Sequence, residues 1–414
     1  YSMVDSAVLG RFVGSHALAA IGATTSTTGL ILLLATGVTS AISIALSQYV
    51  GANDTDRVRK GIVASGWITL LLGVVLGLIS VFAARPLMQL LKTPEDVIDM
   101  SVLYIQIVCG CGIAQFAYNA AASILRALGD SKTPLYFLVF SSVLNIILDI
   151  VFIVPMHMGV AGAAWATILS QFLSAVFSTV VGLRNFPILH LRREDFHDLK
   201  GSAVLHLKTG FPMGFQMSVM CIGQLAMQAV VNSLGTAAVA GYTAASKADQ
   251  LSVLVNNAMM TAISNYVAQN FGAGKKDRIR LGVRASLIQT EAFNILMCIG
   301  ILLLRHPIVE LFLSNPTAEF YHYSDVFLTI EAPFYFLLGL LAVYRTSIQS
   351  MQNGRAPFAA CMIELVMRLA ATVWLSRFLG YTAVCIASPL AWFGAVALLI
   401  PVYYRMMMKP VKTV

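Results

Sequence analysis

Charge is scarce in this chain of 414 residues: Asp, Glu, Lys and Arg together make up 11%, where a soluble domain carries about 25%. A water-soluble protein of this length has too much surface to cover with so few charges, which excludes a soluble enzyme and a nucleic-acid-binding domain. Also lacking are a Gly-rich phosphate-binding motif, a His/Cys metal spacing and a Ser–His–Asp set within one layer, so nothing supports ATP-driven transport or metal catalysis. The six cysteines (Cys109, Cys111, Cys221, Cys298, Cys361 and Cys385) all fall in apolar stretches and read as small buried hydrophobes rather than disulfides. No cleavable signal peptide is visible.

What the chain has instead is hydrophobicity: 58% of its residues are apolar, with a mean hydropathy of +0.79. That composition fits an all-α polytopic membrane protein, in which lipid replaces water around the outside. Twelve apolar stretches run near 1–13, 17–50, 58–84, 97–125, 134–155, 159–183, 207–234, 238–271, 281–304, 323–351, 357–378 and 381–407. All but the first reach the roughly 20 residues that a bilayer crossing needs. The sequence starts at Tyr1 with no initiator Met, and the start of the first segment is expected to be missing, by about 20 residues judging from the internal repeat. Nineteen Lys and Arg fall in alternate loops and the tail, and five on the opposite side. That asymmetry predicts a multi-pass protein of a bacterial cytoplasmic (inner) membrane with both termini in the cytoplasm, and it accounts for the +8 net charge as topology.

The chain repeats itself. Gly14-Ser15-His16-Ala17-Leu18-Ala19-Ala20 aligns with Gly235-Thr236-Ala237-Ala238-Val239-Ala240-Gly241 at an offset of 221 residues. The same offset aligns Gly51–Arg59 with Gly272–Arg280, and Lys132-Thr133-Pro134 matches Arg355-Ala356-Pro357 at 223. Two six-helix bundles therefore follow each other as a parallel repeat. The first covers 1–185, a polar cytoplasmic linker 186–206, and the second 207–414.

Ionisable groups in hydrocarbon are costly and mark function. Asp5 lies nine residues before the break at Gly14, about 13 Å deep at 1.5 Å per residue. By the same rule Asp149, Asn145, Thr167 and Tyr104 sit about 9, 15, 12 and 10 Å deep. Five polar groups from four segments thus share one layer, with Asn145 and Asp149 one turn apart on one helix face. Two carboxylates in one dry pocket do not both ionise easily, so the pair suits a proton. Alternatively Asp5, Asn145, Asp149 and Thr167 supply hard oxygen ligands for Na⁺. For Tyr104, Asn145 and Thr167, hydrogen bonding between helices is an equal alternative.

In the second bundle the offsets replace Asp5 by Ala226 and Asp149 by Thr372. Glu364 and Arg368, spaced i,i+4, are expected to neutralise each other. Lys247 and Asp249 are two apart and do not face each other. Glu291 and Glu331 are unpaired in sequence, and Glu331 precedes Pro333 at an expected bend. Met3, Met220 and Met227 belong to a methionine-rich set suited to ligands of varied shape. With Lys247, Glu331 and Glu364 they form the expected substrate cavity.

Met3-Val4-Asp5-Ser6-Ala7-Val8-Leu9-Gly10-Arg11, Gln48-Tyr49-Val50-Gly51-Ala52 with its twin at Gln269-Asn270-Phe271-Gly272-Ala273, and Leu125-Arg126-Ala127-Leu128-Gly129-Asp130-Ser131-Lys132-Thr133-Pro134 resemble the multidrug and toxic compound extrusion (MATE) family. The resemblance spans essentially the whole chain. It implies a secondary active, non-enzymatic antiporter, monomeric in the membrane, that exchanges amphipathic or cationic drugs for H⁺ or Na⁺ and needs no other cofactor. It also implies a first-bundle cation site at Asp5, Asn145, Asp149 and Thr167. The NorM-like branch carries an acid ten residues after the Gly of a Gly-x-Pro pattern. Gly210-Phe211-Pro212 leads here to Met220, which favours a DinF-like member. The alternative is a lipid-linked precursor flippase of the same superfamily, which would want a cavity rich in Arg and Lys.

Overall fold

A computed structural model describes residues 8–9, 12–90, 93, 95–312 and 318–408. Among these the chain is all-α. Unit 1 covers Tyr1–Gly214 and unit 2 Phe215–Val414. In order, the helices are α1 (Ser15–Gly51), α2 (Thr55–Leu90), α3 (Glu95–Gly110), α4 (Ile113–Ala127), α5 (Lys132–Ile153), α6 (Gly159–Asn185), α7 (Lys200–Ser233), α8 (Thr236–Gly272), α9 (Lys276–Phe312), α10 (Ala318–Glu331), α11 (Tyr335–Ser350), α12 (Arg355–Leu369), α13 (Ser376–Leu379) and α14 (Tyr381–Met408). The unit boundary falls inside α7.

Nine helical spans among the described residues have the length and apolarity to cross a membrane: 55–89, 95–127, 132–153, 159–185, 200–233, 276–307, 318–350, 355–379 and 381–408. The helices α1 and α8, 37 residues each, measure about 55 Å, well beyond a hydrocarbon core of about 30 Å. Most of the first apolar segment lies outside the described residues.

The internal repeat is visible in the backbone. Helices α1 and α8 begin and end 221 residues apart, and both follow a glycine with φ near +100° (Gly14 and Gly235). Asn53 and Gly274 take the same left-handed turn, 221 apart. Asp130 Oδ1 accepts the amides of Lys132 and Thr133 at 3.0 Å, and 223 residues later Asn353 Oδ1 accepts that of Ala356 at 3.3 Å. These bonds satisfy amides that a helix start would otherwise leave open.

One helix is broken in each unit at matching places. In unit 1 the chain breaks at Gly110-Cys111-Gly112 between α3 and α4, where two glycines weaken the helix. In unit 2 a 3-10 turn at Ala332–Phe334 separates α10 from α11. Pro333 supplies no amide to that turn. A π turn over Ala370–Leu375 interrupts the helix after α12. The exposed face of α5 is apolar while its buried face is largely polar, an arrangement that suits lipid outside rather than water. On α5, Leu135, Val139, Val143 and Ile147 are exposed while Ser141, Asn145, Asp149 and Ile153 are buried.

Candidate functional site

The buried face of α5 carries the sequence-predicted groups of unit 1. Spacing of four residues puts Ser141, Asn145 and Asp149 on one stripe, and each is at most 1% exposed. The partner surface is α6. Asn145 Nδ2 donates to Thr167 Oγ1 at 3.4 Å, and Ser174 Oγ donates across the seam to Phe137 O at 3.1 Å. Ser170 bonds back to Thr167 O. Thr167, Gln171, Ser174 and Ser178 continue the α6 side, all buried. Gln171 Oε1 has no hydrogen-bond partner among the described residues.

Asn145 and Thr167 are thus in contact, with Asp149 one turn further along the same face. Tyr104, on α3, is buried in the adjoining apolar cluster with Leu9, Ile153, Ala163 and Ala164. Asp5 and Met3 lie outside the described residues. The sequence reading missed Gln171 and the serines, although Thr167, Gln171, Ser174 and Ser178 repeat at helical spacing.

Unit 2 differs from expectation in its charges. Glu364 forms a buried ion pair with Arg345 of α11 rather than with Arg368 one turn away on α12. Side-chain direction decides this: i,i+4 spacing makes two residues neighbours, but a better-placed cation on another helix takes the carboxylate. Arg368 instead lies within electrostatic reach of Glu331 and Asp249. Glu331, at the end of α10, is 2% exposed and faces Asp249 of α8, Ser388 of α14 and Arg368. The Tyr335 hydroxyl lies beside Asp249, and Tyr242 is near both acids.

Five ionisable groups therefore share the interior of unit 2, three acids (Asp249, Glu331, Glu364) against two cations (Arg345, Arg368). Carboxyl groups there outnumber guanidinium groups by one. The repeat replaces the aligned acids in this half by Ala226 and Thr372. At the aligned position Thr372 is indeed a buried hydroxyl in the π turn, but Asp249 supplies a carboxylate from another helix.

Of the remaining expected cavity residues, Met220 is half-buried and lines a small cavity with Gly223, Cys361, Glu364 and Arg368. Met227 is buried, its sulfur 3.9 Å from Ser388 Oγ. Lys247 is half-buried and forms no ion pair among the described residues. Glu291, on α9, is half-buried beside Gly339 of α11.

A family model described as MatE matches residues 1–151 and 212–374. The chain is 31% identical over 398 residues to a probable multidrug resistance protein, YpnP, of Bacillus subtilis (strain 168), covering 95% of this chain and 85% of that protein. It is 29% identical over 345 residues to a second probable multidrug resistance protein of that organism, YoeA, covering 81% and 74%. Its fold is similar to a crystal structure of MATE in the bent conformation, with a TM-score of 0.90 at 21% identity, covering 98% of this chain and 91% of the other.

Proposed function

The chain belongs to the MatE family, whose members are membrane transporters and not enzymes, and from that premise we propose that it is a secondary active multidrug efflux transporter coupled through the buried acids of its first half. It exchanges amphipathic or cationic drugs for H⁺ or Na⁺ by alternating access. The observation that carries this reading is the α5–α6 seam, where a fully buried Asp149 stands one turn from an Asn145–Thr167 hydrogen bond. A carboxylate at that depth in an apolar protein is costly unless it binds a proton or cation.

Asp149, with Asp5 expected from the sequence in the same layer, holds the coupling ion. Asn145 and Thr167 orient the site or complete an oxygen ligand set for Na⁺. Loading the ion neutralises the pair, and drug binding disfavours the loaded form, which is the reciprocal linkage that antiport requires. In the second half, the excess acid among Asp249, Glu331 and Glu364 gives a positively charged drug a counter-charge. The buried arginines face carboxylates and so do not favour the flippase alternative.

The protein acts as a monomer in a bacterial cytoplasmic membrane with both termini inside. Met220 in place of the helix acid keeps it closer to DinF-like than to NorM-like members. The test is uptake of a cationic dye by vesicles holding the protein, under an imposed pH or Na⁺ gradient. Gradient-dependent dye movement is expected, and no response to either gradient would remove the reading.

A further inference from the structure

The break between α10 and α11 is held by two amides that the break itself does not need. Asn294 of α9 donates Nδ2 to the carbonyl of Tyr335, the first residue of α11, at 3.0 Å. Asn256 of α8 donates to Asn294 Oδ1 at 3.0 Å and to Ser252 O at 2.8 Å. Both side chains are buried, at 2% and 1% exposure.

The matching break in unit 1 is built differently. There α2 approaches with glycines: a Cβ on Gly73 would lie 3.1 Å from Ile113 Cα, and one on Gly77 would lie 2.8 Å from Gly110 O. The repeat aligns Asn294 with Gly73 at 221, and Tyr335 with Ile113 at 222. Close packing of backbone alone thus suffices to seat such a break. An amide pair in a lipid-embedded protein must find partners or lose stability, and this one brings a single donor, Asn294 Nδ2, to the carbonyl at the break.

The consequence of that bond lies in what Tyr335 touches. Its hydroxyl lies beside Asp249, and both are within electrostatic reach of Glu331 on the other side of the break. Tyr335 itself is fully buried, so its ring direction follows from where its backbone is pinned. At Gly339, one turn further along α11, a Cβ would lie 2.4 Å from Asn294 Nδ2 and 2.6 Å from Glu291 Oε1. Any side chain there would push Asn294 off the carbonyl.

We propose that Asn294, braced by Asn256, is a positioning residue that fixes Tyr335, and through it the spacing of Asp249 and Glu331, for binding a cationic cargo. The proposal rests on the reading that these acids face the cargo. Asn294 touches no cargo itself. Its effect passes through one backbone bond.

The test uses the full chain in lipid nanodiscs and the lipophilic cation tetraphenylphosphonium as probe, with binding measured between pH 5 and 8. The wild type binds more tightly as pH rises, and Glu331→Gln flattens that profile. Asn294→Leu weakens binding roughly fivefold, the scale of one buried hydrogen bond, and moves the pH midpoint by about half a unit. A folded Asn294→Leu protein with wild-type affinity and midpoint, whatever its melting temperature, overturns the proposal. If that variant does not fold, Asn294→Ala removes the amide donor without adding a titratable group. The same displacement is then expected, and its absence overturns the proposal equally. A Glu331→Gln protein with the wild-type profile would instead sink the reading of the acids as a cargo site, and the positioning role with it.

Discussion

Breaking the Arg345–Glu364 pair should show an asymmetry that its surroundings dictate. Both side chains are almost fully buried, at 7% and 5% exposure. Glu364→Gln leaves a guanidinium in a dry interior whose Nε already lacks an acceptor among the described residues. Glu331 and Asp249 lie within electrostatic reach of Arg368 instead. An uncompensated buried charge of this kind costs about 3–5 kcal/mol. Arg345→Met leaves Glu364 instead, but Arg368 is one turn away on the same helix and can turn toward it. The loss should then shrink to about 1–2 kcal/mol, the remainder being strain and the weakened hold on Glu331. The double substitution Arg345→Met with Glu364→Leu removes both charges and should recover to near the wild type. At about 2–4 °C per kcal/mol for a unit of this size, the first variant melts at least 6 °C below the parent and clearly below the second. Thermal unfolding of the purified protein in one detergent, as a double-mutant cycle, reads these values. Three variants within about 1 kcal/mol of the parent would mean that the pair is hydrated and contributes little, refuting the reasoning.

Gly339→Ala places a Cβ 2.4 Å from Asn294 Nδ2 and 2.6 Å from Glu291 Oε1, so it should destabilise by about 1–3 kcal/mol through overpacking. Gly300→Ala, with nothing within 4 Å, should be neutral or stabilising by up to about 1 kcal/mol in the same melting assay. Thr167→Val removes the hydroxyl that accepts from Asn145 and should cost about 1 kcal/mol, while altering the ion dependence of dye efflux. Outside the membrane, Asp130 is partly buried, which works against ionisation, but bonds from Thr133 and Lys132 outweigh this and hold its carboxyl below the usual value. Its contribution is therefore present above the unfolded value near 3.8 and fades as pH falls through the folded one. Asp130→Ala should cost about 1 kcal/mol at neutral pH and progressively less on acidification, as measured by melting at pH 7 against pH 3.

Much of the fold was legible because lipid imposes simple rules. Apolar run length placed the helices, and the repeat predicted which turns would recur. The bend at Pro333 was readable because proline removes an amide, but the break at Gly110–Gly112 was not, since small residues in a membrane helix more often serve close packing. The α5 stripe was legible because Asn145 and Asp149 lie on one helix and spacing fixes their common face. The charges of unit 2 were not. Spacing sees neighbours along one helix, so it paired Glu364 with Arg368 and left Asp249 without a partner, since its neighbours come from α10, α11 and α12. Alignment of the two halves misled for the same reason: it asks whether an acid is kept at one position, whereas a site needs only an acid reaching one place. Nothing in the sequence marked Asn294, because a lone Asn in an apolar segment gives no hint of the carbonyl it meets.

The role of Asp149 is open to direct measurement. Proteoliposomes carrying a pH-sensitive dye are given an outward drug gradient at fixed Na⁺, and a second set carrying a Na⁺-sensitive dye is given the same gradient at varied Na⁺ with the internal pH clamped. The wild type should drive H⁺ or Na⁺ against the drug, and Asp149→Asn should abolish that countermovement while still binding drug. A variant that moves the ion as well as the wild type would contradict the account at its centre.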